Sequence, residues 1–171
     1  SLACKFCATG KLKLLKNLSA AEIYDQVEMI RGLADRHYDK NLSNIVYMGM
    51  GEPLLNYSAV LESIDRICGE PGLGMSPKRI TVSTAGIAKA IKRLGDDEVR
   101  FNLALSLHAA NDEKRNRIMA INESNNLEAL AEALKYFHER TGTRVTYEYI
   151  IFKVRPSERR LVAEERTALS L

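Results

Sequence analysis

Four short runs of this chain contain the residue types that do chemistry. Cys4-Lys5-Phe6-Cys7 spaces two thiols closely enough to share one metal ion or cluster. The neighbouring lysines are expected to favour ionised sulfur. A redox dithiol and a pair without function are the competing readings; a zinc site needs four ligands, and the remaining cysteine, Cys68, lies far along the chain. In Gly49-Met50-Gly51-Glu52-Pro53 the paired glycines let the backbone approach a ligand, and Glu52 offers a carboxylate suited to an ammonium group. The plainer alternative is a tight turn with a solvated Glu. Ser83-Thr84-Ala85-Gly86 and Ser106-Leu107-His108 add hydroxyls and an imidazole. Taken singly, Ser83 reads as a helix cap and His108 as a histidine satisfied by a backbone carbonyl. No GxGxxG or GxxxxGK[ST] pattern occurs, which disfavours a Rossmann or P-loop nucleotide site.

These runs are held by a regular alternation of elements. Ser19-Ala20-Ala21-Glu22 has capping-box spacing, and Ile23, Val27, Ile30 and Leu33 recur at helical steps, which predicts a helix to about His37. Asn44 to Gly49 predicts a short buried strand. Val60, Ile64 and Ile67 then mark a helix, Arg79 to Thr84 a strand, and Gly86 the opening of another helix. Phe101 to Leu107 predicts a third strand, Leu127, Leu130, Ala131 and Leu134 the stripe of a helix, and Arg144 to Phe152 a fourth strand. Strands separated by helices favour parallel pairing through right-handed crossovers. The leading fold is therefore an α/β barrel or part of one, with a doubly wound open sheet as runner-up. In either fold the glycine loop, Ser83 and the Ser106–His108 run follow strand C-terminal ends, so three consecutive strands deliver polar side chains to one rim. His37 and His138 read as partners of helix C-terminal dipoles, and Met48, Met50, Met75 and Met119 as filler or loop apolar groups.

The chain has 171 residues, 46% apolar, 27% charged and 6% aromatic, the make-up of one globular domain rather than of a disordered, collagenous or disulfide-rich chain. Lys and Arg total 25 against 22 acids, a net charge of +3, too mild to imply nucleic-acid binding by itself. Its distribution is more informative, because Lys5, Lys11, Lys13 and Lys16 fall in a stretch with no acid. An odd cysteine count with no export or membrane-spanning segment points to reduced thiols and a cytoplasmic setting. The first residue is Ser, with a metal motif almost at the terminus, so the sequence reads as a piece of a longer chain.

Taken together, Ser1 to Gly10, Gly49 to Asn56, Ser83 to Gly86 and Ser106 to Ala109 resemble the radical S-adenosylmethionine enzymes that methylate adenine C2 in 23S rRNA and in some tRNAs. The likeness runs in order from residue 1 to about 150, and Gly49 to Asn56 is its most specific piece. It implies a partial (β/α) barrel of the radical type lacking its first and last elements, with residues 1–152 as the barrel core and 153–171 as an atypical tail, helical in places. Cys4 and Cys7 match the second and third cysteines of the family's Cys-x-x-x-Cys-x-x-Cys motif, so a further cysteine is implied just before Ser1. Three thiolates would then hold a [4Fe–4S] cluster with one iron open to S-adenosylmethionine. By the same match Gly51 and Glu52 would contact the amino-acid end of that cofactor, and Ser83, Ser106, Leu107 and His108 would line the rest of its site.

Adenine C2 is neither nucleophilic nor acidic, so polar methyl transfer cannot reach it and a radical route is implied. The resemblance also implies an electron donor, an unstacked adenine at the barrel mouth, and phosphate contacts from the N-terminal lysines. The family's methyl-carrying cysteine has no counterpart here, Cys68 being wrongly placed for it, and the chain alone is expected to be inactive. Rival readings are a radical enzyme with another target such as adenine C8, and a non-catalytic zinc or dithiol module.

Overall fold

The fold is described from a computed structural model, over residues 2–151. Four strands, β1 (Ile45–Tyr47), β2 (Ile80–Thr84), β3 (Asn102–Ser106) and β4 (Val145–Glu148), form one parallel sheet in the order β1-β2-β3-β4. That order decides between the two folds left open by periodicity. Successive right-handed crossovers that always step the same way put every connecting helix on the same face, whereas a doubly wound sheet needs the order to reverse. The sheet is therefore the singly wound, barrel type, and the expectation of a partial (β/α) barrel stands.

Side chains divide accordingly. Ile80 and Val82 of β2 and Leu103 and Leu105 of β3 pack with Val60, Ile64, Ile67, Ile91, Leu94, Leu130 and Phe137 in one core beneath the helices. Ser83, Ala104, Ser106 and Glu148 alternate with them and line the opposite face. The helices are α1 (Ala20–Tyr38), α2 (Tyr57–Cys68), α3 (Ala88–Asp96), α4 (Asp112–Ile118) and α5 (Leu127–Thr141), with α1 packed on α2 and α3 on α5. The capping box is present as expected: Glu22 N donates to Ser19 Oγ at 3.2 Å and Ser19 N to the Glu22 carboxylate at 2.9 Å. Asn111 and Asn126 cap α4 and α5 without a reciprocal bond, their side-chain oxygens accepting from Lys114 N and Ala129 N.

Two expectations need correction. The strand after Asn44 is not buried: β1 is an edge strand and Val46 is 53% exposed, because a short apolar run carries no information on its place in the sheet. The helix α4 was not anticipated, its polar run Asp112–Ile118 lacking an apolar stripe. The expected tail at 153–171, with Phe152, lies outside the described residues. Among the described residues no helix is long and apolar enough to cross a membrane.

Phe137 and Val46 make a contrasting pair. Phe137→Ala empties a fully buried position and is expected to lower stability by about 3–5 kcal/mol in urea titrations followed by circular dichroism. Val46→Ala on the open edge should change it by no more than about 0.5 kcal/mol.

Candidate cofactor site

The C-terminal ends of all four strands open on one cavity of about 370 Å³, within the usual range for small-molecule sites. Its wall includes Cys4, Cys7, Gly51, Glu52, Ser83, Ser106, His108 and Glu148, set among the apolar Leu2, Phe6, Met48, Pro53, Met119 and Ile150. Residues far apart in the sequence, expected to share a rim, thus surround one space.

The cysteine loop closes on itself: Cys7 N donates to the Cys4 carbonyl at 3.1 Å, and Gly10 N to the Cys7 carbonyl at 3.0 Å. A Cβ at position 10 would stand 2.9 Å from the Cys4 carbonyl oxygen, so only glycine permits the closure. Lys5 N donates to the Ile118 carbonyl at 2.9 Å, which seats the loop on the end of α4. Both thiols are free. Contrary to the expectation from the lysines, burial and the neighbouring Cys7 push the Cys4 thiol above its usual value, and the opposing positive charge comes from Arg115. Lys5, Lys11 and Lys13 are exposed and Lys16 pairs with Glu22. Among the described residues no group of three or more Cys, His, Asp or Glu could hold a metal ion. The pair Cys4 and Cys7 therefore suits two positions of a larger ligand set, not a complete one.

Glu52 is neither solvated nor wholly free. Its carboxylate accepts from Leu54 N at 3.1 Å and from Ala85 N at 2.7 Å, so it fastens the glycine loop to the turn after β2. An ionised carboxylate has about four acceptor positions, so capacity remains for a ligand. Gly51, at φ +107°, makes the turn that brings Glu52 inward. Burial raises the Glu52 carboxyl above its usual value, against the hydrogen bonds that lower it.

Ser83 caps no helix. Its hydroxyl donates to Glu148 at 3.3 Å, and the Ser106 hydroxyl donates to the same carboxylate at 3.0 Å. His108 was expected to find a backbone carbonyl if structural, yet its buried Nδ1 has no partner among the described residues. Its ring meets Phe6 edge-on at 4.7 Å between centroids, and its backbone is left-handed, φ +59°, a conformation of order 1–3 kcal/mol in cost for a non-glycine residue. Burial holds the imidazole below its usual pKa and so favours the neutral form. Leu107 does not reach the cavity; its side chain joins the core and its N–H donates to the Glu148 carbonyl at 3.0 Å. An unsatisfied buried imidazole nitrogen, free thiols and spare carboxylate lone pairs on a mostly apolar wall are the features of a site built for an organic ligand with polar ends.

Sequence reasoning missed Glu148 and Arg115. Glu148 ends β4 as Ser106 ends β3 and sits beside it in register, a signal that strand alignment could have supplied. Arg115 is fully buried within the polar run of α4, where nothing in the sequence distinguishes it.

A group whose folded pKa is raised contributes stability below its unfolded value and loses it as pH rises through the folded value. Relative to Glu52→Gln, the native chain is therefore expected to lose stability as pH rises from about 4 through the elevated Glu52 value. Denaturant melts of the two proteins across pH 4–8 check this; a difference independent of pH would contradict it.

Comparison with known proteins supplies the relationship. The family model for the "Radical SAM superfamily" matches residues 1–164. The chain is 60% identical over 152 residues to a "Probable dual-specificity RNA methyltransferase RlmN" of Cytophaga hutchinsonii, covering 89% of this chain and 42% of that protein. It is 54% identical over 153 residues to the protein of the same name from Christiangramia forsetii, covering 90% and 44%. A crystal structure of a radical SAM methyltransferase from Sphaerobacter thermophilus superposes with a TM-score of 0.90 at 36% identity, over 99% of this chain and 49% of that one. The chain thus spans less than half the length of these relatives. With the singly wound sheet and the cysteine loop at its rim, this match over nearly the whole sequence makes the chain a member of the radical SAM superfamily.

Proposed function

We infer that this chain carries the cofactor-binding part of a radical S-adenosylmethionine RNA methyltransferase that modifies adenine C2 in 23S rRNA and in tRNA. The observation that supports this most is the cavity itself, on which Cys4 and Cys7 open together with Gly51, Glu52, Ser83, Ser106 and His108. Cys4 and Cys7 would hold two irons of a [4Fe–4S] cluster, the third thiolate coming from a cysteine ahead of Ser1. When bound, the cluster and S-adenosylmethionine supply the electron and the radical chemistry that an unactivated aromatic C–H position requires.

The residues of the chain bind, orient and exclude water. Glu52 has acceptor capacity for the ammonium of the cofactor, and Gly51 gives the backbone close approach. Ser83 and Ser106, aligned by Glu148, present hydroxyls along the wall, and the neutral His108 offers Nδ1 to a polar group. Leu107 contributes through its backbone, since its side chain belongs to the core. Phe6, Met119 and Ile150 keep the cavity apolar, which strengthens every polar contact within it. The exposed Lys5, Lys11 and Lys13 suit phosphate contacts of an RNA that presents an unstacked adenine.

Iron and sulfide content after anaerobic reconstitution, with one cysteine added ahead of Ser1, is expected to approach four of each per chain and to fall to near zero in Cys7→Ala. One zinc per chain instead would support a binding module. Substrate is tested by exchanging this chain for the matching 152 residues of the Cytophaga hutchinsonii relative and digesting rRNA for mass spectrometry. The expected product is 2-methyladenosine; 8-methyladenosine, or no methylated adenosine from a cluster-loaded chimaera, would contradict the reading.

A further inference from the structure

Glu148 ends β4 among hydroxyls rather than cations. Ser83 Oγ donates to its Oε1 at 3.3 Å and Ser106 Oγ to its Oε2 at 3.0 Å. Among the described residues no lysine or arginine forms an ion pair with it. Its backbone carbonyl accepts from Leu107 N and His108 N at 3.0 and 3.2 Å, which ties the residue to the turn after β3. A hydroxyl has a single proton to donate. With both protons directed at Glu148, Ser83 and Ser106 turn only lone pairs toward the cavity, and the carboxylate adds further acceptor positions of its own.

The charge of the wall follows the same pattern. Glu52 and Glu148 line the cavity, whereas among the described residues no lysine or arginine does. Arg115 lies behind the ends of β2 and β3, with its donors on the Leu107, Ala85 and Ser106 carbonyls and on Asn122, itself a donor to Asp112. Independently, His108 is only 8% exposed on this wall and its Nδ1 has no partner among the described residues, which marks the space as one that a ligand completes. A cleft with charge of one sign set in a largely apolar wall concentrates ligands of the opposite sign.

We propose that Glu148 is a specificity-determining residue: with Ser83 and Ser106 it forms an anionic patch of acceptors that holds the sulfonium compound S-adenosylmethionine in preference to the uncharged thioether S-adenosylhomocysteine. This rests on the reading of the cavity as an S-adenosylmethionine site. The two compounds share ammonium, carboxylate, ribose and adenine and differ by one methyl group and one positive charge. Contacts common to both cannot separate them, so discrimination must come from groups that respond to that charge.

The test is equilibrium binding of each compound to the anaerobically reconstituted full chain, with one cysteine added ahead of Ser1, as the native protein, Glu148→Gln and Glu148→Asp. The native chain is expected to bind S-adenosylmethionine about tenfold more tightly than S-adenosylhomocysteine. Gln keeps the length and an acceptor but not the charge. It is expected to abolish that preference, weakening S-adenosylmethionine about tenfold and leaving S-adenosylhomocysteine unchanged. Asp keeps the charge but is too short to reach both hydroxyls, so both affinities should fall while the preference stays. A Gln variant that weakens both ligands equally would show a merely structural role and overturn the proposal, as would loss of the preference in the Asp variant. Equal affinities in the native chain would overturn it too, a result that needs no variant to fold. Binding of both compounds without preference removes the proposal alone, whereas a native chain that binds neither removes the functional reading with it.

Discussion

Where parallel strands run out, their last carbonyls and amides lose their ladder partners while still inside the protein, and each must be met by something other than water. In this fold buried or half-buried side chains meet them at the ends of β2 and β3, and a further one meets the first amide of α3. Arg115 takes the carbonyls of Ala85, Ser106 and Leu107, Glu52 takes the amide of Ala85, and Asn125 takes the amide of Ala88 at 2.8 Å. The turns after β2 and β3 are therefore fixed without regular structure of their own. That fixity lets Ser83, Ser106 and His108 stand at defined places on the wall, and it lets His108 persist in a strained backbone conformation.

The sheet order supplies the second constraint. With the helices on one face, the other face is left to small and polar side chains, and the cysteine loop folds over its C-terminal rim against α4. Cysteine sulfurs, hydroxyls, a carboxylate and an imidazole then surround one space of a size suited to a small organic ligand. The apolar remainder of the wall sets a low dielectric, in which polar contacts are stronger than at a surface.

Much of this was legible in the sequence because it is local. The capping box at Ser19 and Glu22, the helical stripes of α2 and α5, and the glycines before Glu52 all act within a few residues. What was not legible is tertiary. The edge position of β1 and the one-sided arrangement of helices depend on strand order, which no periodicity encodes. Arg115 lies among Asn111, Asp112, Glu113, Lys114, Asn116 and Arg117, a run with the look of a solvated helix, and only the folded chain turns that one cation inward. The lysines near the cysteines were the visible charges, but they face solvent. His108 and Glu52 were legible as residue types, while their actual partners, none for Nδ1 and two backbone amides for the carboxylate, follow from loops that meet only in three dimensions.

The proposed function requires the cavity to unite an iron–sulfur cluster on Cys4 and Cys7 with S-adenosylmethionine on the neighbouring wall. EPR of the anaerobically reconstituted and reduced chain, with a cysteine added ahead of Ser1, tests both halves at once when spectra are taken before and after S-adenosylmethionine is added. The expected result is a [4Fe–4S]⁺ signal whose g-values shift on addition of the cofactor. A signal indifferent to the cofactor, or a folded chain that holds no cluster, would contradict it.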